Sequence, residues 1–367
     1  MILGFNRRHI LAACSAIVAA PSAAWATTKL DRERYRKATV IDGNLALSII
    51  NGNALVDAAT AARVRISGLT AMKQTLGGSN GSFADANSDI SDTEMSIARN
   101  SHLFSRVRTV ADIGAAKHSG HVAVIFSFES ADMHEGRPER VDHFRSCGVL
   151  VMGLSYNLQS AFGSGVMTKD GTGLTIAGRE AITRMNAAGI TLDLSHSDEL
   201  TSSESLRVTN RPALITHAGC YAVHPHPRNK SDKLLRAVAA CGGTVGIYDL
   251  SYLGNYPANP TLDIYMRHLT HALAVCGEEH VGIGSDTDFL GIDTSAANLA
   301  DWNKGEAKRK AAGIMAPEEG PLPYVEGLNG PFRWQVIASE LTKRGYSSRI
   351  ADKVLGTNLE RVFRETW

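Results

Sequence analysis

Eight short runs rich in apolar and β-branched residues recur along the chain. They are TVID (39–42), GLTAMKQT (68–75), VAVIFSFE (122–129), VLVMGLSY (149–156), ITLDLSH (190–196), ALITHA (213–218), TVGIYDL (244–250) and VGIGSD (281–286). Most are nearly continuous in apolar residues rather than alternating, the pattern of strands covered on both faces. Between many of them the period changes to that of a helix. TIAGREAITRMNAAG (175–189) opens at Thr175, suited to an N-cap, and stops at Gly189; SDKLLRAVAACGG (231–243) opens with Ser231 and ends in paired glycines. Strand followed by helix, eight times over, predicts an α/β fold of the TIM-type (β/α)8 barrel class.

Two places break this rhythm. Residues 76–100 are polar and rich in Gly, Ser, Asn and Asp, which predicts a long strand-to-helix insertion able to cover the barrel mouth. Residues 291–330 carry NKGEAKRKAAG and then PEEGPLP, which predicts an extended loop leading to the final helices. Residues 331–367 read as an extra C-terminal helix pair packed at the barrel edge.

Composition narrows the class without changing it. A chain of 367 residues suits one large α/β barrel, and 34 glycines suit many tight turns. With 38 basic against 37 acidic residues and no basic run, nothing argues for nucleic acid as a partner. At the N-terminus, NRRHIL (6–11) precedes the apolar ILAACSAIVAAP and then AAWA, which predicts an export signal of the twin-arginine type over residues 1–26, cut after Ala26. A single barrel domain is then expected over residues 27–367, in the periplasm or secreted. The apolar run is too short for a stable membrane span, which needs about 20 residues; LAAC (11–14) is a weaker match to a lipoprotein cleavage box. Cys14 leaves with the signal. Cys147, Cys220, Cys241 and Cys276 show no C-x-x-C spacing, so they are either one or two disulfides or four buried thiols.

The candidate chemistry sits where the strands end, since barrels of this class build their sites at the carboxyl ends of the strands. Glu129 ends the third run, His196 the fifth, His217 the sixth and Asp286 the eighth. Two imidazoles and a glutamate form a known ligand set for catalytic zinc that leaves a position open for water. Any one of these residues alone reads as an ordinary hydrogen-bonded core or loop residue; four at matching strand ends do not.

FSFES, ITLDLSHSD, ALITHAG, HPRNKSDKLLRAVAACGGTVGI, VGIGSDTDF and RGYSSRIADKVLGTNLERVFRETW, in this order, cover most of the chain after residue 120. Together they resemble the renal (membrane) dipeptidase family of zinc peptidases, within the amidohydrolase-type barrels. The resemblance implies a two-metal site. Glu129 matches its bridging carboxylate, His196 and His217 complete the second metal's ligands, and Asp286 matches the acid at the first metal, which also handles the proton of the attacking water. It implies that Arg228 binds the free carboxylate of a small peptide substrate, a task suited to the guanidinium fork, and that the protein is a homodimer.

Two departures stand out. Where the family's first strand ends in D-G-H-x-D, this chain has Asp42-Gly43-Asn44-Leu45-Ala46. An amide and a methyl replace an imidazole and a carboxylate, and neither serves zinc well. Where the family often has a histidine after the fourth strand, Tyr156 stands, whose phenol can still support an oxyanion and contact substrate. The expectation is an exported zinc-dependent dipeptidase-like hydrolase working with one dependable zinc. The alternatives are a non-catalytic barrel that binds a peptide or metabolite, and a hydrolase of another amide or ester bond.

Overall fold

The computed structural model describes residues 29–50, 54–78 and 81–367; the export segment and Cys14 lie outside them. Its ten strands are β1 (Ile41–Ala46), β2 (Ala71–Thr75), β3 (Phe104–Arg106), β4 (Val122–Phe128), β5 (Val149–Gly153), β6 (Thr191–Asp193), β7 (Leu214–Ala218), β8 (Thr244–Ile247), β9 (Val281–Ile283) and β10 (Thr287–Asp288). All pair in parallel. β1, β2, β4, β5, β6, β7, β8 and β9 run round in that order, and Asp42 of β1 paired with Ile283 of β9 closes the barrel. Each closing strand falls on one of the eight apolar runs. β3 pairs with the start of β4, and β10 with the end of β1.

Continuous apolar runs become strands here because neither face meets water. β4 is buried along its whole length. Its Val122, Val124, Phe126 and Phe128 join the main core under the helices, while Ala123 and Ile125 join a smaller cluster with Ile41, Ala71 and Leu214. Leu359, Val362 and Phe363 of the helix Asn358–Thr366 complete that second cluster. The C-terminal segment is therefore not an edge pair: its last helix plugs the floor of the barrel at the amino ends of the strands. Trp367 Nε1 donates to Leu150 O (3.1 Å) and Thr191 Oγ1 (2.9 Å) there, and Asn358 Nδ2 to Val281 O (2.8 Å).

The helix after Thr175 spans Ile176–Ala188, with the Thr175 side chain accepting from Gly178 N and left-handed Gly189 (φ 71°) ending it. Ser231 caps Asp232–Ala240 in the same way. The two polar stretches hold helices that the sequence reading did not place. Within the insertion at residues 76–100 lies the helix Phe83–Arg99, opened by a reciprocal Ser82–Asp85 capping box. Its apolar stripe is short, with Ala86, Ile90 and Ile97 buried, so its many Ser, Asn and Asp residues masked the helical period. Residues 291–330 likewise hold the helix Ala296–Ala311, capped by Ser295, on which Glu306 is the buried residue. So little of it faces the core that apolar periodicity could not reveal it. All four cysteines from Cys147 to Cys276 are free thiols.

Candidate active site

β1 is tied into the site by its neighbours. The Asp42 carboxylate accepts from Asn44 N (3.0 Å), Ser285 N (2.9 Å), Ser285 Oγ (2.6 Å) and Trp334 Nε1 (2.9 Å). These bonds tie β1 to the end of β9 and to the helix Arg333–Lys343. The backbones close in tightly: a Cβ on Gly284 would meet Thr216 O at 1.8 Å, and one on Gly43 would meet it at 2.8 Å. Just beyond, Asp286 takes a left-handed backbone (φ 53°), a conformation Asp tolerates better than most residues, and its N–H donates to Asn44 O (2.7 Å).

Three residues proposed from strand ends converge. Glu129, His196 and His217 are buried, and one donor atom of each lies within 4.8 Å of the others. The protonation of both imidazoles follows from their partners. Arg228 Nη2 sits 3.2 Å from His196 Nε2, and a guanidinium only donates, so that nitrogen carries a lone pair and Nδ1–H donates to Asn157 Oδ1 (3.0 Å). The Thr216 hydroxyl donates to Asp193 Oδ2 (2.6 Å), so Thr216 Oγ1 accepts from His217 Nδ1 (2.9 Å) and His217 Nε2 also carries a lone pair. Burial first, then the Arg228 charge, pushes both imidazoles well below the usual histidine range, so both are neutral. Two unprotonated Nε2 atoms thus lie 3.0 Å apart, that of His196 shared with Arg228 Nη2, with Glu129 Oε2 3.9 Å from His196 Nε2. Such a pair cannot hydrogen-bond to itself. It suits a cation between the rings, and both rings have the outer hydrogen bonds that orient metal-binding histidines.

The other half of the site is organised differently. Asn44 Nδ2 donates to Glu129 Oε1 (2.8 Å) and to Asp286 Oδ1 (2.7 Å). Its Oδ1 accepts from Lys73 Nζ (2.9 Å). The orientation of this amide is forced, because the carboxylates only accept and the ammonium only donates. Thr75 Oγ1 donates to Glu129 Oε1 (3.0 Å) and receives Lys73 Nζ at 3.3 Å. Lys73 is 1% exposed and lies 3.8 Å from Asp193 Oδ2. A pocket of about 30 Å³, room for about one water, is lined by Asn44, Leu45, Ala46, Thr75, Glu129 and Asp286.

Asp286 borders the Glu–His–His cluster without joining it, its Oδ2 3.9 Å from His217 Nε2. Tyr156 stacks on the His196 ring, centroids 4.1 Å apart and planes at 23°. Burial, then the Glu129 charge, pushes its phenol up to about 12, so it stays a proton donor. Arg228 is buried, with Nη1 donating to Ser195 O (2.6 Å). Reading strand ends alone missed Lys73, Thr75, Asn157, Asp193 and Thr216. A lysine in the middle of GLTAMKQT, a strand with no wet face, was the available signal for the first of them.

A closed parallel barrel carrying a buried Glu–His–His cluster at the carboxyl ends of its strands defines an amidohydrolase-type barrel. The profile of the membrane dipeptidase family, peptidase family M19, matches residues 51–306, and the chain belongs to that family. An uncharacterized protein in the pqqA 5′ region of Klebsiella pneumoniae is 29% identical over 279 residues, 72% of this chain and 91% of that one. An uncharacterized dipeptidase of Schizosaccharomyces pombe is 31% identical over half of this chain (50%) and 46% of its own. Among solved structures, an amidohydrolase from Pseudomonas aeruginosa superposes with a TM-score of 0.77 at 29% identity, over 92% of this chain and 99% of that one. A Rhodobacter sphaeroides metallopeptidase, solved with a phosphinate mimic of L-Ala-D-Ala, shares the fold at 20% identity and a TM-score of 0.72, over 90% and 99%. Among the described residues, no helix is long and apolar enough to cross a membrane.

Proposed function

We propose that this protein is an exported, zinc-dependent dipeptidase-like hydrolase that cleaves the amide bond of dipeptides or small peptide-like substrates on a single metal. The observation that carries this reading is the pair of neutral imidazoles whose unprotonated Nε2 atoms lie 3.0 Å apart beside a buried carboxylate. Glu129, His196 and His217 would hold the ion, and their N/O donor set suits zinc. Zinc at such a site polarises a carbonyl and makes water acidic enough to attack near neutral pH.

The protein's own groups supply the rest. Asp286 is the proton acceptor: Asn44 fixes its Oδ1 and leaves Oδ2 on the side of the histidine pair. Tyr156, held against His196 and still protonated, donates a hydrogen bond to the oxygen on which charge develops. Arg228 takes the substrate carboxylate, bringing the scissile bond up to the cluster. The export segment read at residues 1–26 would place this activity in the periplasm or outside the cell, and the dimer implied by the family is part of the same reading.

The test is hydrolysis of a panel of L,L- and L,D-dipeptides by the chain starting at Thr27, with added zinc and with chelator. Turnover that needs zinc and disappears with chelator is the expected result. A second reading, a peptide-binding barrel without catalysis, is favoured by the Asn44 hydrogen bonds that already occupy Glu129 Oε1 and Asp286 Oδ1. Dipeptide binding without turnover on any member of the panel would establish it instead.

The outer hydrogen bonds give a separate expectation. Asn157→Leu removes the acceptor that fixes His196 Nδ1–H. Zinc affinity, read by isothermal titration, should fall roughly 10–100-fold, with about 1–3 kcal/mol of stability lost because the buried Nδ1–H is left without its acceptor. An unchanged affinity would mean that Asn157 does not orient the ring.

A further inference from the structure

The two sides of the site treat positive charge differently. On the histidine side, lone pairs converge on a point that no protein donor occupies, apart from the Arg228 edge contact with His196. On the β1 side, the protein's own donors already stand where a cation would bridge carboxylates. The Asn44 amino group lies 2.8 Å from Glu129 Oε1 and 2.7 Å from Asp286 Oδ1, the two acids that the family resemblance assigns to a first metal. Behind it the Lys73 ammonium, buried inside the barrel, grips Asn44 Oδ1 and Thr75 Oγ1 and faces Asp193. Ala46, on the lining of the same small pocket, offers no lone pair.

We propose that Lys73, acting through Asn44, is a built-in cation that replaces the first metal, so that this site accepts one divalent ion only. The proposal rests on the one-metal reading of the histidine side and adds why the count stops there. Each contact of the Lys73 amine is to an oxygen: an amide carbonyl, a hydroxyl already spent on Glu129, and a carboxylate. Two of these are hydrogen bonds and the third, to Asp193, is an ion pair at 3.8 Å, a set that suits an ammonium. Its charge polarises the Asn44 amide, whose hydrogens are thereby better donors to Glu129 and Asp286. A divalent ion in this place would face those hydrogens rather than lone pairs, with a buried ammonium behind them. Where water is excluded that repulsion is poorly screened and opposes a second ion. Lys73 is therefore a positioning residue: it acts through Asn44 on the two carboxylates. Glu129 and the partly buried Asp286 need compensating positive charge, and Lys73 behind Asn44 supplies it.

Zinc stoichiometry tests this without relying on turnover. The chain from Thr27, dialysed against zinc and measured by elemental analysis, should hold about one equivalent. Asn44→His with Ala46→Asp restores the ligand types but keeps the ammonium, and should still hold one. Adding Lys73→Gln, which keeps hydrogen-bonding atoms and removes the charge, should raise the count to two. Lys73→Met serves in its place if melting curves show that the glutamine triple variant does not fold. Two equivalents in the double variant, or one in the folded triple variant, overturns the assignment. One zinc without dipeptide turnover would sink the hydrolase reading while leaving the stoichiometric series to decide Lys73. No zinc in the parent would overturn both.

Discussion

Glu129→Ala should leave a protein that neither retains zinc through dialysis nor hydrolyses dipeptides at a measurable fraction of the parental rate. Glu129 is the only carboxylate in the three-residue cluster, and it faces both halves of the site. Its Oε2 lies toward His196, while Oε1 accepts from Asn44 and Thr75. On the proposed one-metal site, removing it takes away one of three protein ligands and the anionic one among them. If the ion is lost, so is several kcal/mol of transition-state charge stabilisation; about 4 kcal/mol corresponds to roughly 10³-fold in kcat/KM. The fold should survive with a loss of about 1–3 kcal/mol, because the Asn44 and Thr75 donors lose an acceptor. Glu129→Gln separates the two effects: it keeps an acceptor for those donors but not the charge, so stability should recover while zinc retention does not. Wild-type kcat/KM in a zinc-free Glu129→Ala protein would remove the metal from the reaction.

Asp42→Ala should be strongly destabilising, although Asp42 is not part of the Glu129–His196–His217 cluster. Four donors converge on this fully buried carboxylate: Asn44 N, Ser285 N, Ser285 Oγ and Trp334 Nε1. Alanine would strand all of them where water cannot reach. A buried, multiply bonded charge of this kind is worth about 3–5 kcal/mol when one side is deleted. Thermal unfolding should show a drop of the order of 5–10 °C. Asp42→Asn, which keeps size and one acceptor oxygen, should cost visibly less. A loss of less than about 1 kcal/mol for the alanine variant would mean that the barrel seam between β1 and β9 is held by packing alone. Because Asp42 sets the Asn44 backbone, the alanine variant should also weaken the Asn44 contacts with Glu129 and Asp286.

The strands were legible because burial on both faces writes itself into the chain as continuous apolar runs, and each barrel strand lies on one. The helix caps Thr175 and Ser231 were legible because capping is local: the side chain bonds a backbone N–H three residues on. The helices Phe83–Arg99 and Ala296–Ala311 were not, because a helix that buries so narrow a stripe carries too little apolar period to stand out from its polar residues. Placing the C-terminal helices at an edge failed for another reason. An amphipathic helix announces that it has a partner but not which surface, and here the partner is the barrel floor.

At the site, the amino-acid sequence by itself determined the chemical types at the strand ends. It carries Glu129, His196, His217 and Asp286 where a metallohydrolase needs them, and Asn44 and Ala46 where two ligands are expected. Residue identity is written in the chain, and strand ends follow from strand pattern. What only the tertiary structure decided is which atoms face which. That His196 and His217 bring unprotonated Nε2 atoms together depends on Arg228, Asn157, Thr216 and Asp193, drawn from four separate stretches of chain. That Lys73 stands behind Asn44 depends on β1 and β2 lying side by side. Hydrogen-bond direction and charge compensation act over a few ångströms, between residues that can be hundreds of positions apart, so they become readable only when the barrel closes.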